Sequence, residues 1–185
     1  VAVAGGVAHV AFSVAPRGEE DEIHVATSTD GVRWERRGAV IPLGEPGAWD
    51  SFKVGRPSLL HEDGRFLMWY DGTNSLPSDA SRIAEPAARH VGLATSDDSV
   101  TWTTHPANPL VMHSGAIDVA RVGADYVMLA ESGQGTRWLT SEDGVAWEDR
   151  GFLFPNSGEA YDRYGQVTPM AYVEDGKWVA VYYGG

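Results

Sequence analysis

The sequence predicts an all-β fold of repeated four-stranded antiparallel units, which is the sequence form of a β-propeller. Two interleaved cassettes carry that prediction. The first is written three times, as Ser28-Thr-Asp-Gly-Val-Arg-Trp34, Ser96-Asp-Asp-Ser-Val-Thr-Trp102 and Ser141-Glu-Asp-Gly-Val-Ala-Trp147. The second joins a Gly-bearing turn to an aromatic and apolar run, as in Glu62-Asp-Gly-Arg-Phe-Leu-Met-Trp-Tyr-Asp-Gly72, Val122-Gly-Ala-Asp-Tyr-Val-Met-Leu-Ala-Glu-Ser132 and Glu174-Asp-Gly-Lys-Trp-Val-Ala-Val-Tyr-Tyr-Gly184. Repetition on this scale is the mark of propellers and related arrays.

Each element follows from turn chemistry. A fainter copy of the second cassette, Ala4-Gly-Gly-Val-Ala-His-Val-Ala-Phe-Ser13, opens the chain and reads as a first hairpin. In the Trp cassettes, Asp-Gly, Asp-Ser and Asp-Gly supply a short polar turn between an apolar run and a returning strand. The Trp that follows each turn is expected to pack between neighbouring sheets. Alternating the two cassettes gives strand, turn, strand twice per unit, hence four antiparallel strands. The units fall at residues 1–43, 47–112, 115–155 and 161–185 of one propeller domain, the last with two strands. That amounts to about 14 strands, or three and a half blades, where a closed five-bladed ring needs about 20. The expectation is therefore a partial propeller, with self-association through an unpaired blade edge as its consequence.

Composition narrows the classes of function. The 185 residues, 43% hydrophobic with seven Trp and seven Tyr, suffice for a substantial core. No stretch approaches the roughly 20 apolar residues of a membrane span. With no cysteine, disulfides and thiol chemistry are excluded. A formal charge of −12 repels phosphate backbones and anionic lipid, which argues against nucleic acid and membrane partners. No residues have the spacing of a zinc site and no phosphate-cradling Gly loop is present, so neither a metal nor a cofactor is expected. The one long insertion, from Thr73 to Arg89, is rich in Ser, Ala and Pro and forms a surface excursion, either a rim or a tolerated loop.

Trp49-Asp-Ser51, Arg56-Pro-Ser-Leu-Leu60, Met68-Trp-Tyr-Asp-Gly72, Val91-Gly-Leu-Ala-Thr-Ser-Asp-Asp98 and Asn108-Pro-Leu-Val111 together resemble the five-bladed β-propeller glycosidase superfamily of arabinanases, xylosidases, invertases, levansucrases and mannoside phosphorylases. The resemblance implies a carbohydrate or glycoside as substrate. It also implies an active site at one end of a central channel, where three carboxylates act as base or nucleophile, as orienting group and as general acid. Glycoside cleavage needs such carboxyls because one protonates the leaving oxygen while another attacks or stabilises the oxocarbenium-like centre. The superfamily often carries Arg-Asp-Pro on an inner strand, and the matching place here reads Gly55-Arg56-Pro57, without the Asp.

The candidate carboxylates are Asp118, acidic within the apolar run Ala116-Ile-Asp-Val-Ala120, then Glu131, with Asp50 or Asp71 third. Asp71 and Glu131 occupy equivalent second-strand ends, a pattern that also fits a shared structural duty. Asp50 and Asp162, each seven residues before a Pro, read either as anchors of an inner strand or as rim residues, beside Trp49 and Tyr161 with flat faces for sugar rings. Arg56 is a candidate fork for carboxylate or hydroxyls, or else an inter-blade ion-pair partner. His113, Gln166 and Thr168 complete the candidates for substrate contact. Three readings stay open: a glycoside hydrolase-like enzyme, a propeller that binds sugar without cleaving it, and a fragment lacking the full active site.

Overall fold

Alternating apolar strands and Asp-Gly turns organise the chain into four antiparallel sheets. The computed structural model describes residues 1–15, 22–75, 89–132, 134–162 and 166–184; the centre of the Thr73 to Arg89 insertion, residues 76–88, lies outside the described residues. The first sheet holds β1 (Ala2–Ala4), β2 (Val7–Val14), β3 (Glu22–Ser28) and β4 (Glu35–Ile41). The second holds β5 (Lys53–Glu62), β6 (Arg65–Thr73), β7 (His90–Ser96) and β8 (Thr103–Thr104). The third holds β9 (Gly115–Val122), β10 (Asp125–Ser132), β11 (Gly135–Ser141) and β12 (Glu148–Pro155), and the fourth β13 (Gln166–Glu174) and β14 (Lys177–Gly184). Spatial order equals chain order in every sheet, and no helix occurs among the described residues. The result is a partial β-propeller of four-stranded antiparallel sheets, with the two-stranded sheet last.

Turn residues set the hairpins. Asp63-Gly64 and Asp175-Gly176 both have positive φ, 50° and 78° in the first pair and 49° and 72° in the second. Two left-handed residues in succession match the twist of the flanking strands. The Trp cassettes form three copies of one hydrogen-bonded turn. Asp30 Oδ1 accepts the amides of Val32 and Arg33, Asp98 Oδ1 those of Val100 and Thr101, and Asp143 Oδ1 those of Val145 and Ala146, all within 2.7–2.9 Å. In each copy the Ser two residues earlier donates its hydroxyl to the same carboxylate. Amide donation from Thr101 and Val100 pulls the Asp98 carboxyl down to about 2. A depressed carboxylate contributes stability above its unfolded value, and that contribution is lost as pH falls from 3.8 through about 2. Acid melting curves of wild type and Asp98→Asn are therefore expected to converge in this window and to separate above it.

The sheets pack face to face into two cores. Ile23, Val25 and Ile41 of the first sheet meet Val54, Met68 and Tyr70 of the second, and Trp69 and Leu93 of the second meet Ile117, Met128 and Leu139 of the third. Two of the three cassette Trp residues close these joints. Trp102 packs on the first core; Trp147 stands edge-on to Trp69 at 6.2 Å, and the Trp69 indole donates to Gly144 O at 2.9 Å. Trp34 occupies the same place in the first sheet and is 41% exposed, because no sheet among the described residues precedes its own. Where the other copies have Gly, the second cassette has Ser99 at φ 63°, and its hydroxyl meets His9 Nδ1 of the first sheet at 2.9 Å. That contact between sheets compensates a left-handed conformation that side chains disfavour.

Candidate functional site

The inner strands β5, β9 and β13 share one irregularity. Arg56, Ala116 and Thr168 are left-handed, with φ of 46°, 44° and 52°. Each follows a residue paired with the end of the second strand: Gly55 opposite Asp71, Gly115 opposite Glu131, Val167 opposite Tyr183. A left-handed residue turns its amide out of its own ladder, so the amide needs a partner elsewhere. The preceding sheet supplies one. Arg56 N donates to Ser13 Oγ at 2.6 Å, and Ala116 N donates to Asp71 Oδ2 at 2.7 Å.

Around these amides lies a cluster of two acids and two bases. Asp71, 1% exposed, also accepts from Arg56 Nη1 at 2.8 Å, and Arg89 Nη1 stands 3.9 Å from the same oxygen. Arg89, immediately before β7, reaches over the third sheet and donates through Nη2 to Glu131 Oε1. Its path crosses Gly115, where an added Cβ would sit 2.6 Å from Asp71 Oδ2 and 3.1 Å from Arg89 Cδ and Nε. Glycine is needed there for close approach. Glu131 Oε2 is buried and has no hydrogen-bond partner among the described residues. Of the carboxylate oxygens in this cluster, it alone is buried and unsatisfied among the described residues, and an unpaired buried acceptor is costly unless something fills its need.

Asp118 is two residues deeper along β9. Its Oδ2 accepts the Ala171 amide of β13 at 2.9 Å and its Oδ1 lies 3.5 Å from Ser58 Oγ of β5, so from β9 it touches the inner strands on either side. Among the described residues it is also the single charged one lining a cavity of about 420 Å³ between the third and fourth sheets, whose other walls include Leu129, Trp138, Phe154 and Trp178.

The remaining sequence candidates are placed as follows. Asp50 is buried beside Gly44 and accepts from Tyr70 OH at 3.3 Å; burial raises the Asp50 carboxyl, and burial beside Asp50 raises the Tyr70 hydroxyl. Asp162, its equivalent, accepts from the Ser157 amide at 2.9 Å and from the Ser157 hydroxyl, which holds its carboxyl low. The Trp49 ring lies against Gly72 and Gly92 and 5.6 Å from Tyr70, whereas Tyr161 is 61% exposed. Gln166, 1% exposed, uses both ends of its amide between sheets: Oε1 accepts from Thr136 Oγ1 at 2.9 Å and Nε2 donates to Pro155 O at 3.2 Å. His113 is left-handed at φ 56°, its amide donates to His90 Nδ1 at 3.1 Å, and the two rings meet edge to face. Burial, then the neighbouring His113, lowers the His90 imidazole. The structure thus brings Arg56, Asp71 and Glu131 together and sets Asp118 deeper. Asp50, Asp162 and Gln166 hold loops and sheets.

Sequence reasoning did not single out Arg89, Ser13 or Gly115. Arg89 follows a long insertion and finds its partner 42 residues away, so nothing local announces it. Ser13 is recognisable only from the Arg56 amide it receives, and Gly115 only from the Asp71 and Arg89 side chains it makes room for. Among the described residues no group of three or more His, Asp or Glu side chains is placed to hold a metal ion.

No protein-family model matches the chain. The chain is 31% identical over 90 residues to the A type blood N-acetyl-α-D-galactosamine deacetylase of Flavonifractor plautii, a match that covers 43% of this chain and 11% of that protein. Among solved structures it superposes on a glycoside hydrolase with a TM-score of 0.78 at 18% identity, covering 97% of this chain and 59% of that one. The Bombyx mori GH32 β-fructofuranosidase BmSUC1 gives 0.76 at 16% identity, with coverage of 98% and 39%. The family 117 glycoside hydrolase Zg3597 of Zobellia galactanivorans gives 0.69 at 20%, with 94% and 50%. The chain spans between 39% and 59% of the length of these three structures. At such identities the likeness is one of fold: the chain has the fold of the β-propeller glycoside hydrolases.

Proposed function

We propose that this chain forms the carbohydrate-recognising part of a five-bladed, glycoside hydrolase-like propeller, and that Glu131 and Asp118 are the carboxylates that meet the sugar. The observation that carries the reading is Glu131 Oε2, a buried carboxylate oxygen beside the Arg89, Asp71 and Arg56 cluster that has no partner among the described residues. A sugar hydroxyl or a glycosidic oxygen supplies the donor or the proton acceptor that such an oxygen lacks. One carboxyl can protonate the leaving oxygen while a second supports the oxocarbenium-like centre. Asp71 is committed to a backbone amide and a guanidinium, which leaves it to orient its neighbours.

A second reading rests on the match to a deacetylase: attack of an activated water on the acetamido carbon of an N-acetylated sugar, with a carboxylate as general base. A third, sugar binding without cleavage, is favoured by Arg56 standing where the resembling enzymes often carry Asp. One assay separates them. Wild-type protein is incubated with a panel of 4-nitrophenyl glycosides, oligosaccharides and N-acetylhexosamine glycosides, following nitrophenol or reducing ends, released acetate, and binding by calorimetry. Glycosidic cleavage that falls in Asp118→Asn supports the first reading. Acetate release without cleavage selects the second, affinity without chemistry the third, and an inert protein overturns all three. Because Asp118 also accepts the Ala171 amide, the melting temperature of Asp118→Asn is measured alongside.

A further inference from the structure

We infer that Arg89 is the positioning residue of this site: its guanidinium fixes Glu131 through Oε1 and thereby keeps Oε2 turned to a ligand. The inference rests on the reading of Glu131 as a sugar-facing carboxylate and adds to it a residue that neither the resemblance nor the comparisons assign. Three observations carry it. The second-strand ends present three acceptors of one kind, Ser13, Asp71 and Glu131, and the first two are consumed by the left-handed amides of the following inner strand. Glu131 gives its oxygen to Arg89 instead. The route of Arg89 is built into the backbone, since Gly115 has no Cβ where one would press on both the Arg89 stem and Asp71.

The guanidinium suits this task because its fork is planar and holds an attached carboxylate in one orientation, which an ammonium on a flexible stem does not. Asp71, 3.9 Å from Nη1, sets the other side of the fork. Ser114 N donates to Arg89 O at 3.1 Å, so the backbone that launches the side chain is tied to the start of the third sheet, the same sheet that carries Glu131. Both ends of the Arg89 residue therefore report to one rigid body. Arg89 needs no contact with the sugar; it acts through Glu131.

The test is a double-mutant cycle in the full chain. Arg89→Ala, Arg89→Lys, Glu131→Gln and the two Arg89 doubles are assayed on the panel glycoside that wild type turns over, or on the sugar it binds. A misplaced reacting group costs on the order of 100-fold in kcat with KM little changed, and that loss is expected for Arg89→Ala. Arg89→Lys is expected to recover little of it, whereas millimolar guanidinium chloride is expected to restore several-fold in Arg89→Ala and nothing in Glu131→Gln. In the Glu131→Gln background the Arg89 substitution is expected to have no further effect. An equal loss in both backgrounds, or full activity in Arg89→Lys, overturns the assignment. If wild type neither cleaves nor binds any panel member, the functional reading of the site fails, and the positioning claim is judged by melting temperature alone. Non-additive losses in the same cycle uphold the Arg89 and Glu131 coupling, and additive losses refute it.

Discussion

Glu131→Gln is expected to lower turnover of the panel glycoside by about 1,000-fold, the scale at which removal of one preorganised electrostatic group acts on a transition state. The substitution preserves shape, so an oxygen still faces Arg89 while the negative charge and the transferable proton are gone. Because Oε2 has no partner among the described residues, an amide nitrogen there breaks no hydrogen bond seen in the structure. Circular dichroism is accordingly expected to stay close to wild type, with the melting temperature lowered only by the weakened bond to Arg89. If the protein binds sugar without cleaving it, the same variant is expected to lose affinity instead. Activity and affinity both within twofold of wild type would assign Glu131 to structure alone.

Asp71→Ala carries the largest expected loss of stability. Asp71 is buried, accepts from Arg56 and from the Ala116 amide, and faces Arg89. Removing one member of a buried pair leaves the other charge uncompensated, which costs about 3–5 kcal/mol. The Arg56 and Arg89 side chains are 32% and 22% exposed and Arg89 keeps Glu131, so a value toward the lower end of that range is expected from urea denaturation. Asp71→Asn keeps an acceptor for the Ala116 amide and is expected to lose visibly less. Ser13→Ala, which removes only the neutral acceptor of the Arg56 amide, is expected to cost about 1 kcal/mol. If all three variants lose the same amount, the charge on Asp71 is not what the joint depends on.

Local signals made the sheets legible. The Ser-x-Asp turn before Trp34, Trp102 and Trp147 fixes three hairpins by hydrogen bonds that reach no further than three residues along the chain. The match between Asp71 and Glu131 was likewise readable, because both close a second strand of the same pattern. What each does there was not readable. Asp71 meets the Ala116 amide 45 residues later, and Glu131 meets Arg89 42 residues earlier, so their difference is set by the neighbouring sheets. Arg56 shows the same limit. Its place before Pro57 marks an inner strand, but only the fold reveals that its amide belongs to Ser13 and its guanidinium to Asp71. Asp118 was conspicuous as an acid in an apolar run, and Gln166 as a polar residue on the inner strand of the last unit. The partners that explain them, Thr136 and Ala171, lie on different sheets.

The left-handed residues at Arg56, Ala116 and Thr168 have a consequence for how chemistry can arise in an array of repeats. Each repeat brings its own copy of the same seam, one outward amide and one side chain from the neighbour to receive it. So long as every seam is closed in the same way, the inner wall is inert, a row of satisfied bonds. Where one receiver is excused from closing its seam while its fellows continue to do so, a polar group is left over, at a cost the other closed seams must carry. At Glu131 the side chain that elsewhere would be mortar turns to Arg89 instead and keeps one buried oxygen without a partner among the described residues.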